Sequence, residues 1–261
     1  MSTLAYSLRD STTMLRRDFR HSLRNPMMTL SGVGLPVIFL LLFVGVFGHS
    51  LRAGLGSAIP VGGGYVDYLI PGILVMTAAS CAEMTAIEMC TDKTEGIITR
   101  FRAMAITRAS VLTGRVAGSV IRTLVSGGLL VAVGLALGFR PSATPIEWVA
   151  TMALFALLAL ALSWLTVAFG LVAKTPAGAN SLSLIVVVLP FISSAFVPTG
   201  GMPAGVRWVA QNQPFTPIIQ SLRGLLTGAP IGNSAILAAA WCAGIAAVGY
   251  LWARARYNRG R

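Results

Sequence analysis

Six long apolar stretches constrain this sequence more than any other feature. They are residues 28–48, 68–90, 117–138, 148–173, 180–197 and 234–253. A helix rises about 1.5 Å per residue, so roughly 20 apolar residues cross the hydrocarbon core of a bilayer. Backbone polar groups inside hydrocarbon must be satisfied within the segment, which a helix achieves. The sequence therefore predicts an all-α integral membrane protein, a single domain with six transmembrane helices.

The few charged residues indicate how these spans are oriented. Only 11% of the chain is charged, and the formal net charge is +12. Most of the 20 Lys and Arg residues precede the first stretch, lie between the second and third, follow the fourth or end the chain. Cytoplasmic segments keep an excess of Lys and Arg. Both termini are therefore expected to be cytoplasmic. We interpret the basic residues as the signal that orients the spans, and we expect no nucleic acid as partner.

Two segments outside the spans have helical character. Residues 1–26 place Leu4, Leu8, Leu15 and Phe19 on one face with arginines on its flanks, which predicts an N-terminal amphipathic helix in the membrane interface. A cytosolic helix packed on a partner is the alternative. Residues 198–233 are moderately apolar and interrupted by prolines. Short outer-leaflet helices and a plain structured loop both fit this extracytoplasmic segment.

Ionisable groups within the spans are costly and therefore informative. Glu83 lies in the second stretch and Arg122 in the third, at similar distances from the intervening loop. We predict an intramembrane ion pair between Glu83 and Arg122. In the alternative, Glu83 faces a wet cavity and Arg122 extends to the headgroups.

The sequence lacks the residues that catalysis by this chain would need. Neither lysine, Lys93 or Lys174, stands in the Gly-Lys step of a phosphate-binding loop. The two histidines, His21 and His49, fall on opposite sides of the membrane in this topology, which excludes a metal cluster or a catalytic triad around them. We expect a non-catalytic chain with no cofactor of its own.

The loop at residues 91–115 is the most charged segment between two spans. Ile97, Phe101 and Met104 fall on one helical face, while Arg100 and Arg102 project from another. Thr107 is suited to cap a second helix that begins at Arg108 and continues into the third span. The pattern predicts a cytoplasmic elbow that joins spans two and three. The positive-inside rule alone would also place arginines here, with nothing to bind.

Three segments together resemble a known family. The loop contains Asp92, Gly96, Arg100-Phe101-Arg102, Arg108, Leu112 and Gly114-Arg115; the first span begins "RNPMMTLSGVGLP"; the outer segment contains Phe191, Pro198, Met202-Pro203, Trp208, Asn212, Pro214 and Arg223-Gly224. These motifs are similar to type-2 ABC exporter permeases, in particular to their daunorubicin-resistance branch. Two positions depart from that branch. Ala105 stands where proline is usual, and Ser119 stands where an acidic residue is common.

The resemblance implies a permease subunit of an ATP-driven exporter in a bacterial plasma (inner) membrane. Its implied partners are two separate ABC ATPase subunits that bind ATP and Mg, a second permease copy or paralogue, membrane lipid, and a lipophilic drug or lipid as substrate. The implied coupling residues are Arg100, Phe101, Arg102, Thr107, Arg108, Ala109, Ser110 and Leu112.

Two other classes of function stay open on the sequence alone. One is a non-transporting membrane scaffold that recruits a cytosolic partner through the basic loop. The other is a self-sufficient channel, although a chain of titratable groups near the midplane, as proton-coupled transport needs, is missing.

Overall fold

The computed structural model describes residues 26–45, 64–96, 108–196 and 203–259, with the backbone alone at 26–33, 108–111, 204, 258 and 259. The N-terminal interfacial helix and residues 97–107 of the loop lie outside the described residues. The described chain is helical, without strands. Its helices are α1 (Pro26–Gly45), α2 (Tyr65–Thr94), α3 (Arg108–Ala136), α4 (Pro145–Val172), α5 (Pro176–Val188), α6 (Ala204–Asn212), α7 (Phe215–Thr227) and α8 (Ser234–Arg259).

Four helices in this part of the chain are long and apolar enough to cross a membrane. They are α2, most of α3, α4 and most of α8. Two of the six expected spans are represented by shorter apolar helices, Gly34–Gly45 and Pro176–Ile192. The second of these leaves the α-helical form at Leu189, where a 3-10 turn runs to Ile192. Pro190 explains the change, because it has no N–H to continue the α-helical ladder.

α2 is the central helix of the bundle. Every residue from Tyr65 to Ala82 is buried, and α2 contacts α1, α3, α4, α5 and α7. Asp67 stabilises its start by accepting a hydrogen bond from the backbone N–H of Gly64 at 2.6 Å. A helix that is buried around its whole circumference has neighbours on every side, and α2 occupies that central position.

Local sequence signals set the starts of α4 and α5. Thr144 and Glu147 form a capping box, in which the Thr144 N–H donates to Glu147 Oε2 at 2.6 Å. Thr175 accepts from the Gly178 N–H at 3.1 Å. Each cap is followed by a proline, Pro145 or Pro176, at the first helical position, where the missing N–H costs nothing.

Glycines allow α4 to approach its neighbours closely. A Cβ on Gly170 of α4 would lie 2.5 Å from the carbonyl oxygen of Ala86 on α2. A Cβ on Gly249 of α8 would lie 2.6 Å from the backbone nitrogen of Leu165 on α4. Small residues at such crossings let helix backbones pack tightly in a membrane, and these two fix α4 between α2 and α8.

Candidate functional site

The end of the bundle at which α2 ends and α3 begins, here called the loop end, carries a set of facing polar residues. Thr85, Glu88 and Asp92 lie on α2, and Arg115, Ser119 and Arg122 lie on α3. Residues three, four or seven apart share a helical face. The two helices run in opposite directions, so the six side chains meet pairwise as a ladder. We call these six residues the loop-end ladder.

Arg115 makes the contacts nearest the loop. Its Nη1 donates to Glu88 Oε2 at 3.1 Å, and its Nη2 donates to Asp92 Oδ2. The three side chains are 15 to 25% exposed. At that exposure water screens the charges only in part, so the pairing holds the end of α2 firmly to the start of α3.

Arg122 repeats this arrangement two turns deeper. Its Nη1 donates to Glu88 Oε1 at 2.6 Å, and its Nη2 donates to the hydroxyl of Thr85 at 2.9 Å. Glu88 therefore lies between two guanidinium groups and accepts from both. Charge-assisted bonds of this kind are stronger than neutral ones, which makes Glu88 the central member of the ladder.

A chain of hydroxyl groups extends the ladder to α4. Ser119 Oγ lies 2.7 Å from Thr85 Oγ1 and accepts from Ser163 Oγ of α4 at 2.8 Å. Ser119 is 2% exposed and Ser163 is 1% exposed. Buried hydroxyls need such partners, so α2, α3 and α4 are joined at one level of the bundle.

Lys93 ties the last turn of α2 to the end of α4. Its Nζ donates to the carbonyls of Leu171 and Ala173 at 2.8 and 2.9 Å. These carbonyls lack partners within their own helix, and a cation is favourable at a helix C-terminus. The sequence suggested only an orientation signal at Lys93, whereas its position in the structure makes it a helix cap.

The ion pair expected between Glu83 and Arg122 needs correction, because Arg122 contacts Glu88 instead. Glu83 precedes Glu88 by five residues, which places it roughly 140° further around α2. The prediction matched Glu83 and Arg122 by their distance from the loop and did not consider which face of α2 the carboxylate lies on. The spacing of Glu88 and Asp92, opposite Arg115, Ser119 and Arg122, was the signal in the sequence that identifies the pairing.

The predicted coupling residues fall into three groups. Arg100, Phe101, Arg102 and Thr107 lie outside the described residues. Arg108, Ala109 and Ser110 form the first turn of α3, which begins at Arg108. Leu112 is 5% exposed and packs in a cluster with Met89, Val116 and Trp164. Its side chain therefore anchors the start of α3 in the bundle and does not offer a free surface to a partner.

Within the described residues, no group of three or more His, Cys, Asp and Glu side chains has the arrangement of a metal site. Cys81, Cys90 and Cys242 are free thiols and are buried. The polar chemistry of the loop end is thus ion pairing and hydrogen bonding between helices. Such a site can hold helices together or transmit a displacement from one to another.

The apolar helices and the charged loop end together define a multi-pass membrane protein. Comparison with known proteins gives its class. Residues 10–227 match the family described as ABC-2 type transporter. The chain belongs to this family and is a membrane permease subunit of an ABC exporter.

Several curated proteins are similar over most of this chain. The daunorubicin resistance ABC transporter permease protein DrrB1 of Streptomyces coeruleorubidus is 28% identical over 204 residues, which cover 78% of this chain and 70% of that protein. The probable doxorubicin resistance ABC transporter permease protein DrrC of Mycobacterium tuberculosis is 24% identical over 225 residues, 86% of this chain and 79% of its own. The putative transport permease ycf38 of Porphyra purpurea is 24% identical over 221 residues, 83% of this chain and 73% of its own.

Proposed function

We propose that this permease exports amphipathic drugs of the anthracycline type, and that the loop-end ladder transmits the motion that drives export. Two relatives carry daunorubicin or doxorubicin resistance in their names. The ladder supports the coupling role because it joins α2, α3 and α4 directly beside the loop. A displacement of the loop then moves three helices together, as two-state coupling between distant sites requires.

The assembly proposed around the chain has two permeases and two ATPases. The second permease is an identical copy or a paralogue. Each ATPase binds ATP and Mg and seats residues 91–115, with Arg108, Ala109 and Ser110 in the contact. Arg100, Phe101, Arg102 and Thr107 complete that contact on the basis of the family resemblance. The permease itself holds no nucleotide.

The proposed topology has six spans in a bacterial inner membrane with both termini in the cytoplasm. The two shorter apolar helices, Gly34–Gly45 and Pro176–Ile192, supply spans one and five. Residues 1–26 form the interfacial helix, and 198–233, with α6 and α7, form the extracytoplasmic segment. The loop end is then the cytoplasmic end, which agrees with the arginines of the loop and of the C-terminus.

Transport by the purified complex tests this function. The permease is reconstituted with its ATPase in proteoliposomes, and uptake of doxorubicin, a fluorescent amphipathic amine, is followed with and without ATP. We expect ATP-dependent uptake for the wild type, a loss of about tenfold for Glu88→Gln, and wild-type uptake within about twofold for Glu83→Gln. Each substitution removes one carboxylate charge from α2, and of these two carboxylates Glu88 is the one that contacts Arg115 and Arg122.

Docking is tested separately by co-purification of the ATPase. Arg108→Glu should release the ATPase, whereas Arg140→Glu, in the segment that follows the opposite end of α3, should retain it. Equal uptake by Glu88→Gln and the wild type would remove the coupling role of the ladder. An ATPase that binds while its turnover and doxorubicin uptake stay unchanged by the permease would favour the membrane scaffold.

A further inference from the structure

A single arginine joins three elements at the end of the bundle opposite the loop, here called the far end. Arg223 of α7 places its guanidinium carbon 3.7 Å from the ring centroid of Tyr68 on α2. Its Nη2 donates to the carbonyl of Ser194 at 2.8 Å and to the carbonyl of Tyr68 at 3.2 Å. The Tyr68 hydroxyl donates to the same Ser194 carbonyl at 3.1 Å. We call Tyr68, Ser194 and Arg223 the far-end latch.

The sequence of α2 makes this contact possible. Pro71 has no N–H for the carbonyl of Asp67 and crowds it, so the helical ladder is opened at this turn. The neighbouring carbonyl of Tyr68 accepts from Arg223 there. Gly72 follows, and a Cβ at that position would lie 2.7 Å from the Cβ of Ala195. The chain after the 3-10 turn therefore passes directly against the backbone of α2.

The latch lacks the opposite charge that the loop-end ladder has. Among the described residues, the ion pairs are those of Arg115 and Arg122 with Glu88 and Asp92. Arg223 Nε is buried without a hydrogen-bond partner, as is the hydroxyl of Ser194. A buried cation without a counter-charge is costly, and it regains hydration when it is released. The far end is thus closed by contacts that are weaker than those at the loop end.

This difference between the two ends indicates where the bundle opens. At the loop end, charged pairs and hydroxyls hold α2, α3 and α4 together. At the far end, a guanidinium without a carboxylate partner in the latch holds α2 to α7 and to Ser194, which follows the 3-10 turn. A force applied at the loop end would move α2 with its ion pairs intact and separate Tyr68 from Arg223 first.

We propose that Arg223 is a positioning residue for export, and that the far-end latch closes the exit side of the resting permease and opens in each transport cycle. The exit role rests on the proposed function. Closure of the far end by Arg223 stands on the contacts alone and can be measured without transport.

A cysteine at Ser194 reports on the latch in the full chain. Ser194 is 3% exposed, and its hydroxyl has no partner, so Ser194→Cys keeps the carbonyl that the latch uses. Cys81, Cys90 and Cys242 are replaced by alanine. The permease and its ATPase are reconstituted in proteoliposomes, and a membrane-impermeant maleimide is added at the far-end side. We expect slow labelling at rest, faster labelling during ATP turnover, and at least tenfold faster labelling without ATP in Arg223→Gln.

Two controls separate the latch from a general loss of structure. Arg140→Gln makes the same change at an exposed arginine of the far end and should leave the labelling rate unchanged. A second reporter retains Cys90 alone, a buried thiol at the loop end; here the same maleimide is added at the loop-end side, and labelling should stay slow in Arg223→Gln. Faster labelling of Cys90 in that variant would mean that Arg223 serves folding only, and the latch would be rejected.

The remaining outcomes are equally decisive. If the cysteine of Ser194→Cys is labelled at the same rate with and without the Arg223→Gln substitution, closure by Arg223 is refuted. If ATP turnover leaves the rate unchanged while doxorubicin is transported, the latch is not part of the cycle. If doxorubicin is not transported but Arg223→Gln still accelerates labelling, the proposed substrate fails and the closure by Arg223 stands.

Discussion

Arg122 on α3 and Glu88 on α2 are joined by a hydrogen bond of 2.6 Å between Nη1 and Oε1. Arg115 binds the other carboxylate oxygen of Glu88 at 3.1 Å. The carboxylate of Glu88 thus offsets part of the positive charge of both arginines, in a region that is mostly closed to water. Loss of its charge leaves both guanidinium groups short of a partner, and several testable consequences depend on this position.

Glu88→Gln should destabilise the detergent-solubilised permease. Removing one member of a buried ion pair costs about 3 to 5 kcal/mol, and the partial exposure of these side chains, 15 to 17%, reduces the expected loss to roughly 2 to 4 kcal/mol. Thermal unfolding followed by circular dichroism measures it. Glu83→Gln is the matched control and should cost much less. Equal losses of stability in the two variants would show that any carboxylate charge on α2 contributes and that the contact of Glu88 with the arginines does not matter.

A double-mutant cycle tests the pair itself. Glu88→Gln and Arg122→Gln each break the same contact, so the double variant should lose less stability than the sum of the two. Residues in one network commonly show interaction energies of about 0.5 to 3 kcal/mol. Denaturant titration of the four proteins gives the value. Full additivity would mean that Arg122 and Glu88 do not stabilise each other.

The chain of hydroxyl groups predicts which of two serine substitutions, Ser119→Ala or Ser163→Ala, destabilises the permease more. Ser119 serves both Thr85 and Ser163, whereas Ser163 has Ser119 as its side-chain partner. Ser119→Ala should therefore cost more than Ser163→Ala. Hydrogen bonds between membrane helices average about 0.6 kcal/mol, so we expect a loss of roughly 1 kcal/mol for Ser119→Ala. The same unfolding assay compares them, and the reverse order would contradict the arrangement.

The sequence predicted a helical membrane protein correctly, because apolar runs of about 20 residues indicate segments that lie in lipid. It predicted a helix that begins at Arg108 and continues into the third span, with Thr107 as its cap; α3 is described from Arg108 onward, and Thr107 lies outside the described residues. The partner of Arg122 was missed, since apolar periodicity gives depth along a helix, while pairing depends on rotation about it. The network from Thr85 through Ser119 to Ser163 joins three helices, and single hydroxyls in apolar runs carry no signal of which helix they face.

The far end shows the same limit. Arg223 was noted as part of a family motif, but nothing in the sequence linked it to Tyr68, 155 residues away. The Pro71-Gly72 step was a usable local signal. Proline within a span opens a helical turn and glycine permits close approach, so together they marked a point where another segment contacts α2. Which segment this is depended on the packing of the whole bundle.

The close approach of α4 to α2 leads to a last prediction, on two glycines. A Cβ on Gly170 would lie 2.5 Å from the Ala86 carbonyl and 2.8 Å from the Met89 Cβ, whereas a Cβ on Gly128 of α3 meets nothing within 4 Å. Gly170→Ala forces α4 away from α2 and should cost about 1 to 3 kcal/mol.

Gly128→Ala makes the same chemical change in the interior of a helix and should be neutral or stabilising by up to about 1 kcal/mol, because alanine restricts the unfolded chain. Thermal unfolding in detergent compares the two variants. Since Gly170 directly precedes Leu171, whose carbonyl Lys93 caps, Gly170→Ala should also speed amide exchange in the last turn of α4. A Gly170→Ala protein as stable as Gly128→Ala would mean that α2 and α4 are not in contact at this crossing.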